Sequence, residues 1–106
     1  MLKNYLVVLK RLIQLAQRNG AEPVMLVQSS KIPNAGTEFS RIGAKMACGM
    51  DVRALDSREA VASYQGPKDE LHSSSIHYSA KGAAVLADYL YDRLFKRVKF
   101  SVCDKL

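Results

Sequence analysis

Cysteine is scarce: Cys48 and Cys103 are the only two in 106 residues. Two thiols are too few for a disulfide framework and lack the paired spacing of a zinc site, so the pattern predicts two reduced thiols. Histidine is equally scarce, with His72 and His77 alone. Five residues apart and with Asp69 nearby, they make a poor metal constellation, and neither a metal nor a cofactor is expected. No glycine-rich phosphate loop occurs. Long apolar runs are missing too. The most apolar opening stretch, Tyr5-Leu6-Val7-Val8-Leu9, meets Lys10 and Arg11 at once, too soon for a signal-peptide core or a membrane span. The expectation is a chain without a membrane partner and, by default, a cytoplasmic one.

What is present suits one small globular domain over residues 1–106, with 48% apolar residues. Sixteen Lys and Arg against ten Asp and Glu give a formal charge of +6, spread along the chain, which attracts anions loosely without naming a partner. A nucleic-acid surface would draw on Lys3, Lys10, Arg11 and Arg18, and on Lys96, Arg97 and Lys99. The first group suits a solvated helix face and the second complements a helix C-terminal dipole. Without interleaved aromatic residues, nucleic acid is not the expected partner.

From Leu2 to Arg18, apolar Leu2, Tyr5, Leu6, Leu9, Leu12, Ile13 and Ala16 recur at intervals of three and four, which predicts an amphipathic helix stopped by Asn19-Gly20. A strand is expected near residues 23–29, its β character resting on Val24 and Val27. Pro33, Asn34 and Gly36 then break the chain before Thr37, the expected N-cap of a helix with Phe39, Ile42, Met46 and Ala47 on one face and its end near Gly49. A second strand is expected near 50–56. Strand, helix and strand with short connections predict a parallel βαβ unit and an α/β fold with a short parallel sheet.

A short helix from Arg58 to Ala62 follows, then a loop over 63–78 rich in Ser, Gly, Pro and charge. Ser79 is the expected N-cap of a last helix reaching about Arg97, with Ala83, Leu86, Ala87, Leu90, Leu94 and Phe95 as its apolar face. The tail from Val98 is expected to extend over the surface rather than add a strand. His77 therefore stands two residues before a helix cap, on a loop at the carboxyl end of a parallel sheet, where functional groups gather in such folds. Imidazoles titrate near neutral pH, so a general base there is chemically reasonable; a merely solvent-exposed histidine is the plainer alternative.

The stretch Ile76-His77-Tyr78-Ser79-Ala80-Lys81-Gly82 and the helix after it resemble the end of the SGNH, or GDSL, hydrolase family. There an Asp-x-x-His motif precedes a glycine five residues on and then a helix; His77, Gly82, Leu86, Ala87 and Leu90 stand at those places. The earlier helices and strands resemble the family's preceding steps, so the chain is similar to the carboxyl-terminal half of that domain. The resemblance implies a partial three-layer, flavodoxin-like architecture. It also implies a serine esterase or acylhydrolase acting on an ester substrate, with His77 as base.

The chain departs from the family in two places. It contains no Gly-Asp-Ser, so the nucleophile and the oxyanion donors are expected from another polypeptide or a missing amino-terminal segment. Ser74 stands where the family has aspartate, leaving Asp69 or Glu70 as the carboxylates to approach His77 from the loop. Asp69 also spells Asp-x-x-His with His72, but no glycine follows His72 at the required spacing. Two strands and three amphipathic helices would leave sheet edges and apolar faces uncovered, which predicts self-association or a complementary chain. The competing expectation is a non-catalytic interaction or scaffold domain that keeps the hydrolase shape.

Overall fold

Helix and strand alternate from the amino terminus, and the computed structural model, which describes residues 1–32, 34–97 and 99–106, keeps that order. Helix α1 spans Leu2–Arg18, β1 Val24–Val27, α2 Ala35–Cys48, β2 Arg53–Asp56, α3 Ser57–Ser63 and α4 Ala80–Tyr91. A 3-10 turn at Lys68–Leu71 interrupts the long loop, and a single π turn, Asp92–Lys96, extends α4 as far as the sequence pattern predicts. Both strands are shorter than expected, four residues each. Pro33, expected as a breaker, and Val98, the first residue of the tail, lie outside the described residues.

The strands pair in parallel, Val24 opposite Arg53 through Val27 opposite Asp56. Strand periodicity then divides the core. Met25, Val27 and Ala54 pack with Ala44 of α2, while Ile13 of α1 joins Ala47 and Val52. Val24, Leu26 and Leu55 face the other way, against Ala60 of α3 and Tyr89 of α4. Helices therefore cover both faces of a sheet only two strands wide.

Three local expectations need correction. Asn34, not Thr37, caps α2: its extended backbone lets Oδ1 accept the Thr37 N–H at 3.0 Å, which places Thr37 inside the first turn. Helix α2 meets the core through small residues, Ser40, Gly43, Ala44 and Ala47, and of the face expected for it only Ala47 is fully buried. Helix α4 is rotated from its expected face. Gly82 and Tyr89 are buried, whereas Ala83, Ala87 and Phe95 are exposed. The cause is backbone contact: a Cβ on Gly82 would lie 1.9 Å from the Leu71 carbonyl oxygen, so α4 crosses the 3-10 turn through its one residue without a side chain.

The carboxyl-terminal tail is the largest departure. Cys48 and Cys103 form a disulfide, Cα to Cα 5.8 Å, instead of two free thiols. Counting cysteines misleads because one bridge needs only two, and a separation of 55 residues hides their proximity until α2 and the tail flank the same strand. Val102 is buried, and its N–H donates to the Ala54 carbonyl at 2.9 Å. The Ala54 N–H donates to Ser101 Oγ at 3.1 Å. The tail thus docks along the outer edge of β2, because that edge would otherwise bury unpaired backbone groups. Among the described residues no segment pairs with the outer edge of β1.

Closing a loop of this length restricts the unfolded chain, and the chain-entropy relation gives about 4 kcal/mol for the bridge. Urea unfolding with and without dithiothreitol should differ by roughly that amount. An unchanged midpoint, with two thiols titrating in the native protein, would show that the bridge does not form.

Candidate functional site

Parallel strands end with backbone groups that have no partner in the ladder, and here hydroxyls take them. At the carboxyl end of β1, Ser57 Oγ donates to the Val27 carbonyl at 2.7 Å, and the Gln28 N–H donates to Ser40 Oγ at 3.0 Å. At the end of β2, the Asp56 N–H donates to the Tyr89 hydroxyl at 3.0 Å, and that hydroxyl donates to Glu59 Oε1 at 2.7 Å. Burial raises the Tyr89 pKa well above the ordinary tyrosine value, so the group is a fixed neutral donor. The Asp56 carboxylate caps α3 through the Arg58 N–H at 2.9 Å and pairs with the Arg58 guanidinium at 2.7 Å. Tyr89 was missed from sequence, although its spacing from Val85 and Leu86 already placed it on their face of α4.

The loop carrying both histidines is held to this carboxyl edge. Ser29 Oγ and the Tyr78 hydroxyl are 2.5 Å apart, and the Lys31 N–H donates to the Ser75 carbonyl at 2.8 Å. Within the loop, the Ser73 N–H donates to the His77 carbonyl at 2.9 Å, and His72 bridges Tyr78 in antiparallel fashion. Ser79 caps α4 as its position predicts, accepting the Gly82 N–H at 3.1 Å. Residues 72–78 therefore form a miniature hairpin that presents one histidine inward and the other outward.

His77 is the outward one. Its Nδ1 lies 2.9 Å from Ser74 Oγ, which also accepts the His77 N–H at 3.1 Å. Ser74, three residues before His77, is thus the side chain that meets its ring. A serine differs from an aspartate in one respect that matters here: it can give a proton to Nδ1 as well as accept one. The Ser74 hydroxyl faces the wrong ring nitrogen for a nucleophile, and its neighbouring N–H groups point at its own oxygen rather than at an oxyanion position.

His72 is the inward histidine, buried to 6% exposure, with its ring stacked on Tyr78 at 5.0 Å. Burial, and then the Lys31 charge, lower its pKa below 6.5. Its Nε2 is enclosed and has no hydrogen-bond partner. Asp69 sits in the 3-10 turn and lines the same cavity as His72; no hydrogen bond or ion pair joins it to His77 among the described residues. Glu70 is bonded to the Tyr64 hydroxyl. The loop therefore brings Ser74 and not Asp69 or Glu70 to His77.

Among the described residues no cluster of three His, Cys, Asp or Glu side chains is placed to hold a metal, and no helix is long and apolar enough to cross a membrane. Comparison of the chain with protein-family models, with curated proteins and with solved structures gives no match.

The lowered His72 pKa fixes the sign of a stability change. The unfolded chain binds a proton at His72 more readily than the native one, so stability is full above pH 6.5 and falls as pH drops below it. Urea midpoints at pH 7.5 and 5.5 should differ in that direction, by less in His72→Phe, which keeps the ring against Tyr78. An equal pH dependence in the variant would assign the loss to other groups.

Proposed function

We propose that the chain is the carboxyl-terminal part of an SGNH-like serine ester hydrolase, in which His77 is the general base and the nucleophilic serine comes from outside these 106 residues. The observation that carries this is the Ser74–His77 pair: a side chain three residues before the histidine orients Nδ1 and leaves Nε2 directed away from it on an exposed loop. The glycine of the resemblance has a steric reason at Gly82, and the loop is tied to the segment that follows β1 at the carboxyl edge of the sheet. Helices on both faces of the sheet suit a fragment of a flavodoxin-like architecture. An edge of β1 with no strand partner among the described residues, and an apolar groove of about 160 Å³ lined by Leu12, Ile13, Pro23 and Val24, suit a further strand and its helix.

For Nε2 to take the serine proton, Nδ1 must keep its own, and Ser74 must then accept. Aspartate enforces that tautomer because it can only accept; serine does not. The chain alone is therefore inactive or weak, and Ser74→Asp is the restoring change. Its expected mark is a shift of the His77 imidazole nitrogens toward the Nδ1–H tautomer in ¹⁵N spectra.

The same missing carboxylate favours a second reading, a scaffold that retains the hydrolase shape without its chemistry. A fluorophosphonate probe separates the two. In extract, a polypeptide that co-purifies with the chain should label on serine, and labelling should fall about a hundredfold with His77→Ala. Purified chain should stay unlabelled. A partner that labels equally with His77→Ala, or no labelled partner, selects the scaffold. Labelling of the chain on one of its own serines would sink the missing-nucleophile proposal. Sedimentation of the purified chain at micromolar concentration should show association through the uncovered surface, and a stable monomer would show that surface to be tolerated in water.

A further inference from the structure

Helix α1 carries two apolar stripes. Leu9 and Ile13 pack toward α2, whereas Val8, Leu12 and Leu15, on a neighbouring face, remain 55%, 58% and 50% exposed. With Met1 and Tyr5 these three recur at intervals of four, three, four and three, the spacing of a coiled-coil seam. Arg11 and Arg18 follow Val8 and Leu15 by three residues each, which sets them in a row along one border of the seam. We propose that this seam binds an amphipathic helix of a partner polypeptide, one with aliphatic residues in its own seam and with Glu or Asp in the row facing Arg11 and Arg18.

Charge and width decide the occupant. Helix α1 contains no Asp or Glu, and Arg11 and Arg18 enter no ion pair among the described residues. An apolar seam bordered by two such guanidinium groups complements a helix with carboxylates beside its own seam. A second copy of α1 lacks those carboxylates. Paired antiparallel, the two arginine rows would face each other; paired in parallel, they would face Leu9 and Ala16, which are half-buried in the chain itself. A lipid surface fits less well than a helix, because the seam spans about 80° of the helix circumference, narrower than the apolar face of a helix that lies on a bilayer.

The seam also lies where a further element has room. Leu12 lines the groove of about 160 Å³ over Pro23 and Val24, beside the edge of β1 that has no strand partner among the described residues. A helix on the seam would shield Leu12 and Leu15 from water, and the two arginines would fix which side of it faces them. The inference extends the reading of an incomplete domain but uses nothing of His77, so a peptide titration on α1 and serine labelling of a partner fail independently.

The probe is a fluorescently labelled three-heptad peptide with leucine at the seam positions and glutamate on both sides, whose own charge keeps it from pairing with itself. Anisotropy with the full chain at about 0.15 M salt should show saturable binding that weakens as salt rises. Arg11→Glu together with Arg18→Glu should weaken it about tenfold, and a peptide with lysine in place of glutamate should bind that variant in turn. Lys3→Glu together with Lys10→Glu, the same change of charge on the other flank of α1, should cost about twofold at most. Leu12→Ser should abolish binding. All five positions are exposed, so the fold tolerates these changes, and circular dichroism checks that. No saturable binding, equal losses from the arginine and lysine pairs, or equal affinity of the unaltered chain for the glutamate and lysine peptides would overturn the proposal. Binding to phosphatidylserine vesicles in place of the peptide would overturn it in favour of lipid, and a dimer abolished by Leu12→Ser would overturn it in favour of a second copy.

Discussion

Side-chain hydroxyls hold the structure together at the place where the sheet stops. Two strands of four residues form too short a ladder to satisfy their own ends, and helices on both faces exclude the water that would otherwise do so. Ser40, Ser57 and Tyr89 complete the backbone at the carboxyl ends of the strands, and Ser101 does so on the outer edge of β2. Each comes from a different segment: α2, the start of α3, α4 and the tail. Four connections therefore converge on one short sheet. Loss of any one leaves a buried donor or acceptor unpaired, at a cost of about 1–3 kcal/mol.

The site inherits its position from this arrangement. Because Tyr89 ties α4 to the end of β2, the amino terminus of α4 falls over the 3-10 turn, and only glycine at position 82 allows the backbones to meet. Ser79 then caps the helix while also donating to the Glu70 carbonyl at 2.5 Å, which closes the loop back on itself. The seven residues from His72 to Tyr78 have little freedom left. Their inward and outward alternation puts two imidazoles from one short loop into opposite dielectric surroundings, so the same side chain serves as packing and cavity wall on one side and as an exposed, serine-bonded ring on the other.

Much of the fold is legible in sequence because its elements follow simple rules. The three- and four-residue spacing in α1, the Asn19-Gly20 stop, the Ser79 cap and the parallel pair from strand, helix and strand all follow from local chemistry. What is hidden depends on contacts distant in the chain. The Cys48–Cys103 bridge, the docking of Val102 on Ala54 and the rotation of α4 about Gly82 involve partners that no local window contains. The site divides in the same way. His77 stands out by its polar setting before a helix, whereas the inward role of His72 rests on its stacking with Tyr78 and on Lys31, far away in sequence. Asp69 shows the same limit: closeness along the chain suggests a carboxylate for His77, and the 3-10 turn sets it on the wall of the cavity that His72 also lines.

The presence of a serine rather than a carboxylate three residues before His77 links local hydrogen bonding to the question of function. A carboxylate at that position would add negative charge to an exposed loop and accept the Nδ1 proton, which commits Nε2 to act as a base. Ser74 Oγ already accepts the His77 N–H at 3.1 Å, a bond that serves the turn regardless of chemistry. The hydroxyl thus holds the shape of the loop without the electrostatic bias that a carboxylate would bring. Geometry and reactivity are separable at this site, since the backbone bond holds the ring in place and the charge of the partner decides which nitrogen is available. With the geometry and without the charge, Ser74 serves His77 Nδ1 as donor or as acceptor, so the hydrogen bond holds the ring without committing it to one tautomer.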